Sequence, residues 1–130
     1  MNKRTFFLIG LLLFSFIVSQ QSIAANSAPS NSIRTMATIL NFLNHYPGDE
    51  EKKKLKKIAN NNKATMQERT IASAMLNLQH SATEGDKRKL SKIISDNSAS
   101  AGSRDLAKII KNLNHKPSSA DKKMLKNYMW

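Results

Sequence analysis

Apolar residues between Ser30 and the C-terminus recur three or four positions apart rather than in alternation, which is the spacing of amphipathic helices. Met36, Ile39, Leu40 and Leu43 form one stripe, and Ile71, Met75 and Leu78 form the next. Each is followed by a narrower one: Leu55 with Ile58, then Leu90 with Ile93 and Ile94. Ser30, Thr65 and Ser100 precede the broader stripes and are good N-caps; Thr65-Met66-Gln67-Glu68 reads as a capping box. The narrower stripes begin after Pro47-Gly48, Ala82-Thr83 and Pro117-Ser118. Their first turns carry Asp49, Glu50 and Glu51, then Glu84 and Asp86, then Asp121, with basic residues behind them. That order suits the helix dipole. The pattern predicts an all-α protein of six helices and no strand.

The pattern is also periodic on a larger scale. A shift of 35 residues superimposes Arg34, Arg69 and Arg104, and likewise His45, His80 and His115. It also superimposes Ala37, Ala72 and Ala107; Leu43, Leu78 and Leu113; Lys52, Lys87 and Lys122; and Leu55, Leu90 and Leu125. The expectation is three tandem 35-residue helical-hairpin repeats, over 30–64, 65–99 and a shortened 100–130, with 25–29 as a polar linker. One hairpin with two narrow stripes cannot bury both, so neighbouring units must close the core. A short right-handed stack or a compact bundle would do so. The Trp, Leu-Gly, Tyr and Ala-Phe signature of tetratricopeptide repeats, which have a similar period, is absent from all three units.

The N-terminal segment has a different character. Lys3 and Arg4 precede an apolar run from Phe6 to Val18, and small residues follow at Ser22 and Ala24. This predicts a secretory signal peptide over 1–24. The run of 13 residues is short of the roughly 20 that a membrane-crossing helix needs. The mature chain would be 25–130, exported to a bacterial periplasm or the medium, with no transmembrane segment left. Its aromatic residues would be Phe42, Tyr46, Tyr128 and Trp130.

Composition narrows the chemistry. The chain has no Cys, which excludes a disulfide scaffold, a thiol nucleophile and thiolate-held metals. Its four Gly form no phosphate-cradling loop. The acidic residues sit where capping explains them, and no His has an evident Ser or Asp partner. The expectation is a protein that is not an enzyme and carries no cofactor.

What remains is charge and histidine. The 21 Lys+Arg outnumber 9 Asp+Glu. With Leu55 as the core direction, Lys53 and Lys57 point outward, and Arg88, Lys92 and Lys123 repeat that side. On a stack they would form a basic stripe that attracts anionic partners. Arg34, Arg69 and Arg104 lie near helix starts, where a cation is disfavoured, so each implies a partner. An acidic residue or helix C-terminus of the adjoining unit is expected over an external anion.

His45, His80 and His115 are every histidine of the chain. Eleven residues make about three helical turns, so His45 would share the direction of Arg34. In an open stack equivalent residues sit about 10 Å apart, and each His would simply end a helix and bond terminal carbonyls. Closure of the units about a threefold axis would instead bring three imidazoles to one metal. At the C-terminus, Tyr128 and Met129 continue the apolar stripe, and Trp130 is expected to cap the open end. The Tyr128-Met129-Trp130 ending also resembles the C-terminal signal of outer-membrane proteins.

These readings together predict an exported, non-enzymatic binding or adaptor module, with an inhibitor or immunity protein as a close variant. It would capture a protein or an anionic envelope component through the basic face. Nucleic acid fits less well, because no aromatics interleave with the basic runs. One alternative is a small periplasmic metal-binding protein using the His triplet. Another is a membrane-surface-active protein, with peripheral contact only.

Overall fold

The computed structural model describes residues 27–130, so the predicted signal peptide lies outside the described residues. Six helices follow one another: α1 Asn31–Phe42, α2 Asp49–Ala59, α3 Met66–Leu76, α4 Glu84–Ser95, α5 Ala101–Lys111 and α6 Ser119–Lys126. No strand occurs among the described residues.

The helix starts fall where cap chemistry places them. Ser30, Thr65 and Ser100 accept the backbone N–H groups of Ile33, Glu68 and Ser103 through their side chains. Thr83 and Ser118 do the same for Asp86 and Asp121. Gly48 has no side chain to offer, and there the Glu51 carboxylate accepts the Gly48 N–H at 2.7 Å instead. Each cap satisfies a donor that the first helical turn would otherwise leave open, a contribution of about 1 kcal/mol.

The helices form a compact bundle rather than an open stack. The inner helices α1, α3 and α5 touch one another, α2 packs on α3, α4 on α5, and α6 returns to α1. In an open stack the first and last helices could not meet. The meeting of α1 with α5 is close: a Cβ on Gly102 would lie 2.9 Å from Ile33 Cγ2 and 3.3 Å from Tyr128 Cε1. Only glycine leaves room for that approach.

The two kinds of apolar stripe fill one core. Met36, Ile71 and Leu106 are fully buried, as are Leu40, Met75 and Ile110 from the inner helices and Leu55, Leu90 and Leu125 from the outer ones. Each such side chain contributes about 1.5–3 kcal/mol. Two acids join the interior with partners. Glu68 accepts from the Ser30 hydroxyl and the Thr65 N–H, tying the start of α1 to α3. Asp86 accepts from Asn77 Nδ2 and Thr83 Oγ1.

The C-terminus departs from expectation in one respect. Tyr128 and Met129 pack on the core, as their alignment with the stripe requires. The Tyr128 hydroxyl donates to Asp105, and burial together with that carboxylate pushes its pKa above the ordinary tyrosine range. Trp130, however, is 82% exposed and caps nothing. A bundle whose last helix packs back on its first has no open end there to cover. Among the described residues no helix is long and apolar enough to cross a membrane.

Candidate functional site: a ring of three histidines

The three histidines meet. Each lies in the loop that follows an inner helix, and the mutual packing of α1, α3 and α5 brings the three loops to one end of the bundle. The imidazole centroids are 5.2 Å apart for His45 and His80, 5.4 Å for His45 and His115, and 4.7 Å for His80 and His115. One ligand-competent nitrogen from each lies within 4.8 Å of the other two.

The backbone holds this arrangement. The His45 N–H donates to the His115 carbonyl at 3.0 Å, and the His115 N–H donates to the His80 carbonyl at 2.7 Å. The three loops are therefore bonded to one another at the histidines themselves. Pro47 and Pro117 are buried just beyond two of the rings, and Ala82 occupies the matching place after the third. Proline restricts the residue before it to extended backbone, which fixes the path of the chain as it leaves the ring.

Two of the histidines adopt unusual backbone. His45 has φ 87° and His115 φ 65°, the left-handed region, where glycine is the residue of least cost. For a residue with a Cβ the conformation costs on the order of 1 kcal/mol. Neither ring is deeply buried: His45 is half-buried, and His80 and His115 are exposed. Packing therefore does not account for histidine at these positions.

Nor do the imidazoles bond terminal helix carbonyls, as an open arrangement would have them do. His45 Nδ1 and His80 Nδ1 are 3.3 Å apart, one ring donating and the other accepting. The His115 Nδ1–H donates to Asn114 Oδ1 at 2.7 Å, which leaves the Nε2 lone pair free to bind. A hydrogen-bond acceptor on the second ring nitrogen, the part Asn114 Oδ1 plays here, orients a metal-ligating histidine.

These distances suit a metal ion. Metal–nitrogen bonds of about 2.0–2.1 Å on a tetrahedron put ligand nitrogens about 3.4 Å apart. One pair already stands at 3.3 Å. The wider pairs, within 4.8 Å, need at most about 1.4 Å of closure to reach that tetrahedral spacing, and the soft terminal torsion of histidine lets the rings turn toward it. Imidazole nitrogen without thiolate or carboxylate is a donor set for Zn²⁺, Cu²⁺ and Ni²⁺ rather than for Mg²⁺ or Ca²⁺.

The other predicted positions are not gathered in this way. Lys53, Lys57, Arg88, Lys92 and Lys123 are all exposed, on the outer helices α2, α4 and α6. Lys53 pairs with Glu50 at 2.6 Å. The principal packing of each outer helix is against an inner one: α2 on α3, α4 on α5 and α6 on α1. Lys57 does meet Arg34: with Thr35, Thr38, Ile39, Lys54 and Ile58 they line a cleft of about 500 Å³ between α1 and α2.

The arginines differ among themselves. Arg34 Nε donates to the Pro29 carbonyl at 3.1 Å, and Arg104 Nη1 reaches the Asp96 carbonyl, at the C-cap of α4, at 3.5 Å. Arg69 Nε is buried without a hydrogen-bond partner.

Sequence reasoning did not place Asn114 or Tyr46 at the ring. Asn114 carried a faint signal, since an amide residue precedes every histidine: Asn44, Gln79 and Asn114. No family model, curated protein or solved structure matches the chain.

Proposed function

We propose that this is an exported, non-enzymatic metal-binding protein, in which three hairpin units close on one another and hold a divalent late transition-metal ion between His45, His80 and His115. The observation that carries the reading is the convergence of three ligand nitrogens to within 4.8 Å of one another. The unusual backbone of His45 and His115 supports it. Glycine would serve the fold better there, so the imidazoles answer to something other than folding. Three units of one spacing would account for three histidines meeting at one end of the bundle. Among the candidate ions Cu²⁺ binds such nitrogen sites most tightly, with Zn²⁺ and Ni²⁺ behind it.

Calorimetric titration of the purified protein with Cu²⁺ and Zn²⁺ tests this. One ion per chain is expected, and the triple variant His45→Asn, His80→Asn, His115→Asn should bind none. Asparagine tolerates left-handed backbone, so the variant separates lost ligands from a lost fold. Equal binding by both proteins would refute the site. Affinity should also fall as pH falls, because protons compete for the imidazole nitrogens.

A second reading is capture of an anionic protein or envelope component by charge. It is supported by the cleft in which Arg34, Lys54 and Lys57 meet with no carboxylate in the lining. Lys54→Glu with Lys57→Glu should abolish salt-sensitive retention on an anionic matrix and leave the metal titration unchanged.

A further inference from the structure

The ring supplies three donors, and among the described residues no carboxylate belongs to the cluster. A divalent ion held there by neutral imidazoles keeps its full charge of +2 and has at least one coordination position open. The chain around it is already strongly basic, with a formal charge of +12 over the whole sequence. Both the open position and the unbalanced charge call for an anion from outside.

The structure has a place for one. A cleft of about 620 Å³ opens directly beside the ring, lined by His80 itself and by Tyr46, Lys52, Asn77, Gln79 and Thr83 among others. That volume is in the range of small-molecule sites. No acidic residue lines it. The Lys52 ammonium stands over the Tyr46 ring, 5.7 Å from its centroid, and makes no ion pair among the described residues.

The equivalent lysine of the next unit shows what is special here. Lys87 is neutralised by Glu84 at 2.8 Å. The residue equivalent to Glu84 in the first unit is Asp49, whose side chain is one methylene shorter, and it makes no ion pair with Lys52. Of these two lysines, Lys52 is therefore the one available to a ligand.

We infer that the ring binds its metal together with a small carboxylate anion. In this arrangement one carboxylate oxygen takes an open position on the ion, and the far end of the anion lies in the cleft against Lys52. This rests on the metal-binding reading above. The ligand class is a low-molecular-weight carboxylate able to bridge a metal and an ammonium, such as a dicarboxylate or an amino acid. A phosphate could balance the charge equally well, so inorganic phosphate serves as the competing probe.

Equilibrium dialysis of the purified protein, with Cu²⁺ and radiolabelled oxalate followed separately, tests the inference. Copper and oxalate should be retained one to one, oxalate should be retained only when copper is present, and phosphate should displace it poorly. Lys52→Gln should weaken oxalate retention about fivefold, the scale of one partly exposed ion pair, and leave copper retention unchanged. Lys87→Gln should change neither.

Oxalate held equally without copper, oxalate removing the copper, phosphate displacing oxalate as readily as oxalate itself, or no effect of Lys52→Gln would each overturn the carboxylate site. The metal reading would survive those results, provided that copper alone is retained. Failure to retain copper in the absence of any anion would overturn both.

Discussion

The inner helices and the histidine ring are built from the same periodic positions, yet they answer to different forces. Along α1, α3 and α5 the recurring apolar residues disappear into the core: Ala37, Ala72 and Ala107 are fully buried, and Leu43, Leu78 and Leu113, just past the helix ends, nearly so. At the ring the recurring residues remain half-buried or exposed, touch mainly one another, and in two loops hold backbone that suits glycine better. Burial explains recurrence in the first region and fails to explain it in the second. The lesson is that recurrence separates into packing and chemistry only when exposure is known.

If the comparison is sound, the two regions should respond oppositely to mutation. Leu90→Ala, in the core, should cost about 2–5 kcal/mol, read as a lower midpoint in denaturant unfolding. A loss well under 1 kcal/mol would mean that the outer helices contribute little to the core.

Gly102→Ala probes how closely the bundle is drawn together. Helix propensity favours alanine by about 1 kcal/mol, but the new methyl group meets Ile33 and Tyr128 at the distances given above. Overpacking of this kind costs about 1–3 kcal/mol, so thermal unfolding should show a net loss of about 1 kcal/mol. A gain would mean that α1 and α5 stand further apart than described.

At the ring the sign reverses. Replacing His45 and His115 by Gly should leave the metal-free protein as stable or up to about 1 kcal/mol more stable, while the stabilisation conferred by added Cu²⁺ disappears. For a site at 100 times its dissociation constant that stabilisation is about 2.7 kcal/mol. Destabilisation of the metal-free protein would show that the imidazoles serve the fold.

The smallest effect concerns Asp96, at the end of α4. Hydrogen bonds from the Ser98 hydroxyl and from Gln67 of α3 hold its carboxyl below the usual carboxylate range. A carboxyl lowered in the folded state stabilises the fold above its unfolded pKa, and the contribution is lost as pH falls through the folded value. Ser98→Ala should therefore narrow the stability difference between neutral and acidic pH, seen in melts across that range.

Much of the architecture was legible in the sequence because it is local. Ser30, Thr65, Thr83, Ser100 and Ser118 announce helix starts through their own hydrogen bonding, and the three-to-four spacing of Met36, Leu40 and Leu43 announces the buried face. The convergence of the histidines was legible only as a conditional. A period says which units are neighbours, but whether the last returns to the first depends on small inter-helix rotations and on contacts such as Gly102 against Ile33, which no local pattern encodes. The left-handed loops at His45 and His115 had no marker either, because the usual one, glycine, is absent there. Trp130 escapes its expected place for the same reason: a capping role depends on an open end that the return of α6 to α1 removes.

The most direct test of the ring is nitrogen-detected NMR of the three imidazoles during Zn²⁺ titration. If one ion is held by all three, the signals of His45, His80 and His115 should shift together and be complete at one equivalent of zinc. Separate titration of the rings, or continued change well past one equivalent, would contradict a shared site and leave the three histidines as independent surface groups.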